Sequence, residues 1–128
     1  ATQKVRVWVE AVTGRFCPMD FVSWVQSGAI LVELVNVIRP GSARLAEDAD
    51  RRPHKAQQAN AKSFLAACAD MGVPKGRLFK PSDLLKRDGK EGRIVDCLVV
   101  LGAIVPQTVP EYIGPMLRID VSGGMAPT

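Results

Sequence analysis

His54 is the only histidine in the chain, and with Cys17, Cys68 and Cys97 it supplies the material for a thiol nucleophile and its base. Such a pair would make a thiol hydrolase, and it requires a cysteine held as thiolate by a nearby imidazole. The neighbourhoods argue against it. His54 sits between Pro53 and Lys55 in a polar, basic stretch that reads as solvated. Cys68 and Cys97 fall on apolar helix faces, where burial raises a thiol pKa, and Cys17 has no base near it in sequence. No C-x-x-C or H-x-x-x-H spacing occurs, and Asp48-Ala49-Asp50 lacks the glycine and closing glutamate of a calcium loop. The run Asp88-Gly89-Lys90-Glu91-Gly92 lacks the spacing of a phosphate-cradling loop. No cofactor, metal or small-molecule substrate is implied, and the chain reads as a binding protein rather than an enzyme.

Charge carries the remaining functional signal. Lys75, Arg77, Lys80, Lys86, Arg87, Lys90 and Arg93 stand against Asp83, Asp88 and Glu91, a local excess of four that equals the net charge of the whole chain. Such a run serves either as a solvated face that keeps the protein soluble or as a landing patch for an acidic surface. On a landing patch, charge raises the encounter rate and orients docking. Arg51, Arg52, His54 and Lys55 form a second cluster that Glu47, Asp48 and Asp50 offset locally. Basic helical proteins also bind nucleic acid, but a recognition helix needs bases or amides along one exposed face. The segment 94–105 has Asp96 as its only charged residue, so that reading is the weaker one.

Helices must hold this face. Val5, Trp8, Val9 and Val12 recur at the spacing of one helical face over 3–13, although the alternation of Val5, Val7 and Val9 also permits a strand. Pro18 suits the first turn of a short helix carrying Phe21, Trp24 and Val25, interrupted at Ser27-Gly28. Ile30, Leu31, Leu34, Val35 and Ile38 form a stripe that Pro40 stops. Residues 39–54 read as a surface connection with one turn around 43–47. A helix over 55–71 presents Ala56, Ala59, Phe64, Cys68 and Met71 inward and Gln57, Gln58, Lys62 and Asp70 outward, and Gly72 ends it. Leu78 and Phe79 plug inward, and Pro81-Ser82-Asp83 opens a brief turn with Leu84 and Leu85. Asp88 and Glu91 have the spacing of a capping box ahead of a last helix over 89–105, which buries Ile94, Val95, Leu98, Leu101 and Val105 and closes at Pro106. Trp8, Trp24 and Phe64 are core by size and spacing. Asn36, Asn60 and Asp83 read as residues that satisfy backbone groups at helix junctions and turns.

A chain of 128 residues is of single-domain size and buries about two thirds of its unfolded surface. The expected organisation is one helical domain over 1–105 and a Pro/Gly-rich extension over 106–128, extended and loosely held. That extension either packs back through Tyr112, Ile113 and Leu117 or hangs free. No apolar run of about 18 residues and no basic-then-apolar leader occurs, so no membrane partner is expected. An odd, scattered set of cysteines suits reduced thiols in the cytoplasm.

Four segments occur in an order that carries a resemblance: WVxSGxxLVxLxNxIxPG, QQANAKSFLAACADMGV, LFxPSDLL and GRIVDCLVVLG. Together with Trp8 they resemble the calponin-homology domain, in its single, type 3-like form. Gly28, Leu31, Leu34, Asn36, Pro40 and Gly41 match one family stretch, with Ser27 where the family usually has Asp. Asn60, Phe64, Leu65, Ala67, Gly72 and Val73 match the next. Phe79, Asp83, Leu84, Val95, Leu98 and Leu101 match the last two. The resemblance implies an all-α fold, a compact bundle of about four main helices plus short connecting helices. It implies a cytoskeletal binding or adaptor module whose partner is an actin filament, a microtubule or another acidic protein surface. In tandem members actin contact uses the first and last helices, here the exposed side of 3–10 and the helix over 90–105. Microtubule binding in the family uses a basic face, a role the seven bases of 75–93 would serve.

Overall fold

The computed structural model describes residues 2–47, 49–85 and 92–117, and among these residues every regular element is helical. In chain order these are α1 (Thr2–Thr13), α2 (Phe21–Val25), α3 (Ala29–Ile38), α4 (Pro53–Asp70), a 3-10 turn (Lys75–Arg77), α5 (Pro81–Leu85) and α6 (Gly92–Thr108). Four long helices and three short elements match the expected bundle.

The strand alternative for the first segment fails, because the helical period places Val5, Trp8, Val9 and Val12 all inside while Val7 stays half exposed. Gly14 takes φ +71° and ends α1. Pro18, expected in the first turn of α2, lies ahead of that helix. The helix starts three residues later, because Asp20 caps it by accepting from Ser23 N at 3.1 Å. Gly28, at φ +78°, turns the chain from α2 into α3. A Cβ there would lie 2.6 Å from Asn60 Cβ, so the glycine is what lets α3 enter against α4.

Pro53 begins α4 in the first turn, where its missing N–H costs nothing. The buried face of α4 is Ala56, Asn60, Ala61, Phe64, Ala67 and Cys68. Ala59, expected inside, is exposed, and Gln57, expected outside, is half-buried with its amide donating to Gln26 O at 3.1 Å. Phe79 does plug inward, its ring 5.9 Å from that of Phe64. The connection before α4 has no helical turn over 43–47. Its backbone is instead held by Asn36, Asn60 and Ser63.

Two expectations about the last segment are corrected. Pro106 does not close α6, which runs on to Thr108. So near the end, proline forfeits one intrahelical bond, and Val109 N still reaches Val105 O at 2.8 Å. Beyond it, residues 109–117 are not loosely held: Val109 and Tyr112 are buried, and Met116 and Leu117 pack against the core. Ile113, a proposed anchor, is 93% exposed. The expected capping box at Asp88 and Glu91, and the start of the last helix before Gly92, lie outside the described residues.

Candidate docking face

The 3-10 turn, the link into α5 and the start of α6 bring part of the basic cluster together. Arg77, Lys80 and Arg93 line one hollow of about 360 Å³ with Gly76, Leu78 and Asp96. Lys75 is exposed at the start of the 3-10 turn. Lys86, Arg87 and Lys90 lie outside the described residues, as do Asp88 and Glu91.

Arg77 is engaged by an acid that lies beyond the 75–93 window. Its Nε and Nη2 donate to Asp96 Oδ2 and Oδ1 at 2.9 and 2.8 Å, a fork on a carboxylate. The hydrogen bond from Arg77 holds the Asp96 carboxyl below its usual range and raises the guanidinium in turn. Sequence spacing gives no sign of this pair, because its members sit on different elements. Asp83 fills the backbone role expected of it: buried, it accepts from Lys80 N at 2.9 Å. Its Oδ2 lies 3.8 Å from Arg93 Nη1, attraction without a hydrogen bond.

The candidates for catalysis are dispersed. His54 is exposed in the first turn of α4. Cys17 is buried, its thiol donating to Met19 O at 2.9 Å. Cys68 and Cys97 are both fully buried in the core. The hydrogen bond with Cys97 and then burial push the Cys68 thiol well up, as expected, whereas the bond from Cys68 draws Cys97 down against its burial. Among the described residues no group of three or more His, Cys, Asp or Glu is placed to hold a metal ion, and no helix is long and apolar enough to cross a membrane.

A second surface feature was not anticipated. Trp24, expected in the core, is half-buried and lines an open groove of about 640 Å³ with Ile30, Val37 and Leu45, rimmed by the ion pair of Arg15 and Glu33. Leu45 sits in a polar connection and Val37 off the buried stripe, so neither announced itself by period. The groove's polar groups are already paired. Arg15 Nε and Nη2 donate to Glu33 at 2.9 Å each, and Asn36 exchanges two bonds with the Ala43 backbone.

Comparison with known proteins gives a consistent picture. A model of the calponin homology (CH) domain matches residues 1–107. Calponin-1 of Meleagris gallopavo is 34% identical over 84 residues, covering 66% of this chain and 47% of that protein. Myophilin of Echinococcus granulosus is 32% identical over 112 residues, covering 86% of this chain and 57% of that protein. The chain thus spans about half the length of these two relatives. Among solved structures, the calponin-homology domain of Rng2 from Schizosaccharomyces pombe superposes with a TM-score of 0.69 at 17% identity, covering 99% of this chain and 77% of that one, a likeness of fold.

Proposed function

Because the chain belongs to the calponin homology family, we propose that it is a non-catalytic module that docks a longer protein onto an acidic cytoskeletal filament, actin or microtubule, or onto a protein bound to one. The observation that carries the reading is the convergence of Arg77, Lys80 and Arg93 on one exposed hollow, with Lys75 beside it. A positive face of this kind accelerates encounter with an acidic polymer and sets its orientation. The dispersal of His54, Cys17 and the two core cysteines supports binding over catalysis.

Cosedimentation of the protein with actin filaments and with microtubules at two salt concentrations tests this. Pelleting is expected at low salt and is lost toward 1 M, where screening shortens to about 3 Å. Reversal of Lys86, Arg87, Lys90 and Arg93 to Glu is expected to abolish pelleting while helicity, read by circular dichroism, stays unchanged. Pelleting that survives high salt or the reversal would remove the basic face as the determinant.

The apolar groove favours a second reading, a protein adaptor that touches no filament. With its polar groups already paired, the groove offers Trp24, Ile30, Val37 and Leu45 to the apolar face of a partner helix. Pelleting with neither polymer at low salt selects this reading.

A further inference from the structure

Three cations from three pieces of chain meet in one hollow: Arg77 from the 3-10 turn, Lys80 from the link into α5, and Arg93 from the start of α6. Their donors are differently committed. Arg77 spends two N–H groups on Asp96, which leaves about three of the five that a guanidinium carries and fixes the plane of the fork. Arg93 Nη1 lies 3.8 Å from Asp83 Oδ2, too far for a hydrogen bond, and that oxygen accepts from Lys80 N. Lys80 is exposed. The space beside Gly76 is open, as a Cβ built there meets nothing within 4 Å.

We propose that this hollow takes one carboxylate at a time, from glutamate or aspartate side chains of an acidic peptide segment carried by the partner. The proposal rests on the basic-face docking proposed above and names the chemistry that face reads. At about 360 Å³ the hollow is at the small end of ligand clefts, and a helix about 10 Å across does not enter it. A single acidic side chain projecting from the partner does. The wall already shows the geometry in use, since Asp96 meets the Arg77 fork through both of its oxygens. A carboxylate brings one charge to the site. A phosphate dianion brings a second charge beside Asp96, which lines the same wall.

Titration calorimetry at low salt with an oligoglutamate peptide, and with its glutamine counterpart, tests the assignment. The glutamate peptide is expected to bind and the glutamine peptide not to. R93Q is expected to weaken binding about tenfold, the worth of a charge-assisted hydrogen bond, and K80Q comparably. K62Q removes the same charge from an exposed position on α4 and is expected to change affinity less than about twofold. Equal losses in R93Q, K80Q and K62Q would overturn the pocket and leave only diffuse attraction. Displacement of the peptide by equimolar inorganic phosphate would overturn the choice of carboxylate. Pelleting with a filament but no oligoglutamate binding removes the pocket and leaves the docking reading standing. Peptide binding without pelleting on either polymer removes filament docking and leaves the pocket.

Discussion

The indole Nε1–H of Trp8 donates to the carbonyl oxygen of Pro115 at 3.0 Å, joining positions 107 residues apart. Trp8 is buried in α1, and a buried indole N–H without a partner is costly. The same carbonyl accepts from Tyr112 OH at 2.7 Å, so one oxygen fastens the 109–117 segment both to itself and to the first helix. Leu117 then closes over Gly102 of α6, where a Cβ would lie 2.5 Å from the leucine.

Tyr112→Phe is therefore expected to destabilise the protein by about 1 kcal/mol in urea unfolding, the net worth of a part-buried hydrogen bond. Burial also raises the phenol above its ordinary pKa. A folded-state pKa above the unfolded value means stability that is full below about pH 10 and falls as pH rises through the folded pKa. Tyr112 is the only tyrosine, so its ultraviolet titration reads this shift without overlap. An ordinary phenol titration would show that the segment does not cover it.

Gly28→Ala is expected to cost well over 2 kcal/mol, combining a left-handed φ of +78° with a Cβ that lies 2.6 Å from Asn60 Cβ. Gly14→Ala is its control. That glycine has φ +71° but nothing within 4 Å of the added methyl, so about 1 kcal/mol of backbone strain is expected alone. Similar urea midpoints for the two variants would deny the α3–α4 approach.

Asn60→Ala should remove about 2–4 kcal/mol, because the amide receives Ala46 N at 2.7 Å and donates to Ser27 O at 3.0 Å while itself buried. Both backbone groups lose their partner at once. The half-buried Asn36, bonded only within its own junction to Ala43, is expected to cost less on the same change. Denaturant melts of the two alanine variants decide the order.

The pair of Arg77 and Asp96 predicts a small acid sensitivity. Its carboxyl pKa is lowered in the folded state, so the contribution is present above the unfolded value near pH 4 and is lost as pH falls through the folded value. Both side chains are about half exposed, and solvent screens most of the effect. Asp96→Asn should leave stability at neutral pH almost unchanged and flatten the acid limb slightly. A large loss at pH 7 would mean that the pair does more than hold a surface side chain.

Much of the fold was legible because helices announce themselves by period. The stripes of α1, α3 and α4 place their large apolar residues inside, and the glycines and prolines that end helices mark several boundaries. The two asparagines were legible as well, since a short amide among apolar neighbours must find backbone partners. Trp24 misled because size predicts burial only when a neighbour arrives to cover it, and the connection over 43–47 leaves the groove open. Pro106 misled because a proline's cost depends on how many helical bonds follow it.

Local chemistry along the chain determined the helical class, the positions of the cores of the long helices and the excess of positive charge around α5, because each depends on neighbours within a few residues. Only tertiary contact decided that Arg77 would be held by Asp96, that Arg77, Lys80 and Arg93 would share one hollow, and that Pro115 would settle on Trp8. Those relationships join different elements, and periodicity carries no information about which surfaces of separate helices come to face one another.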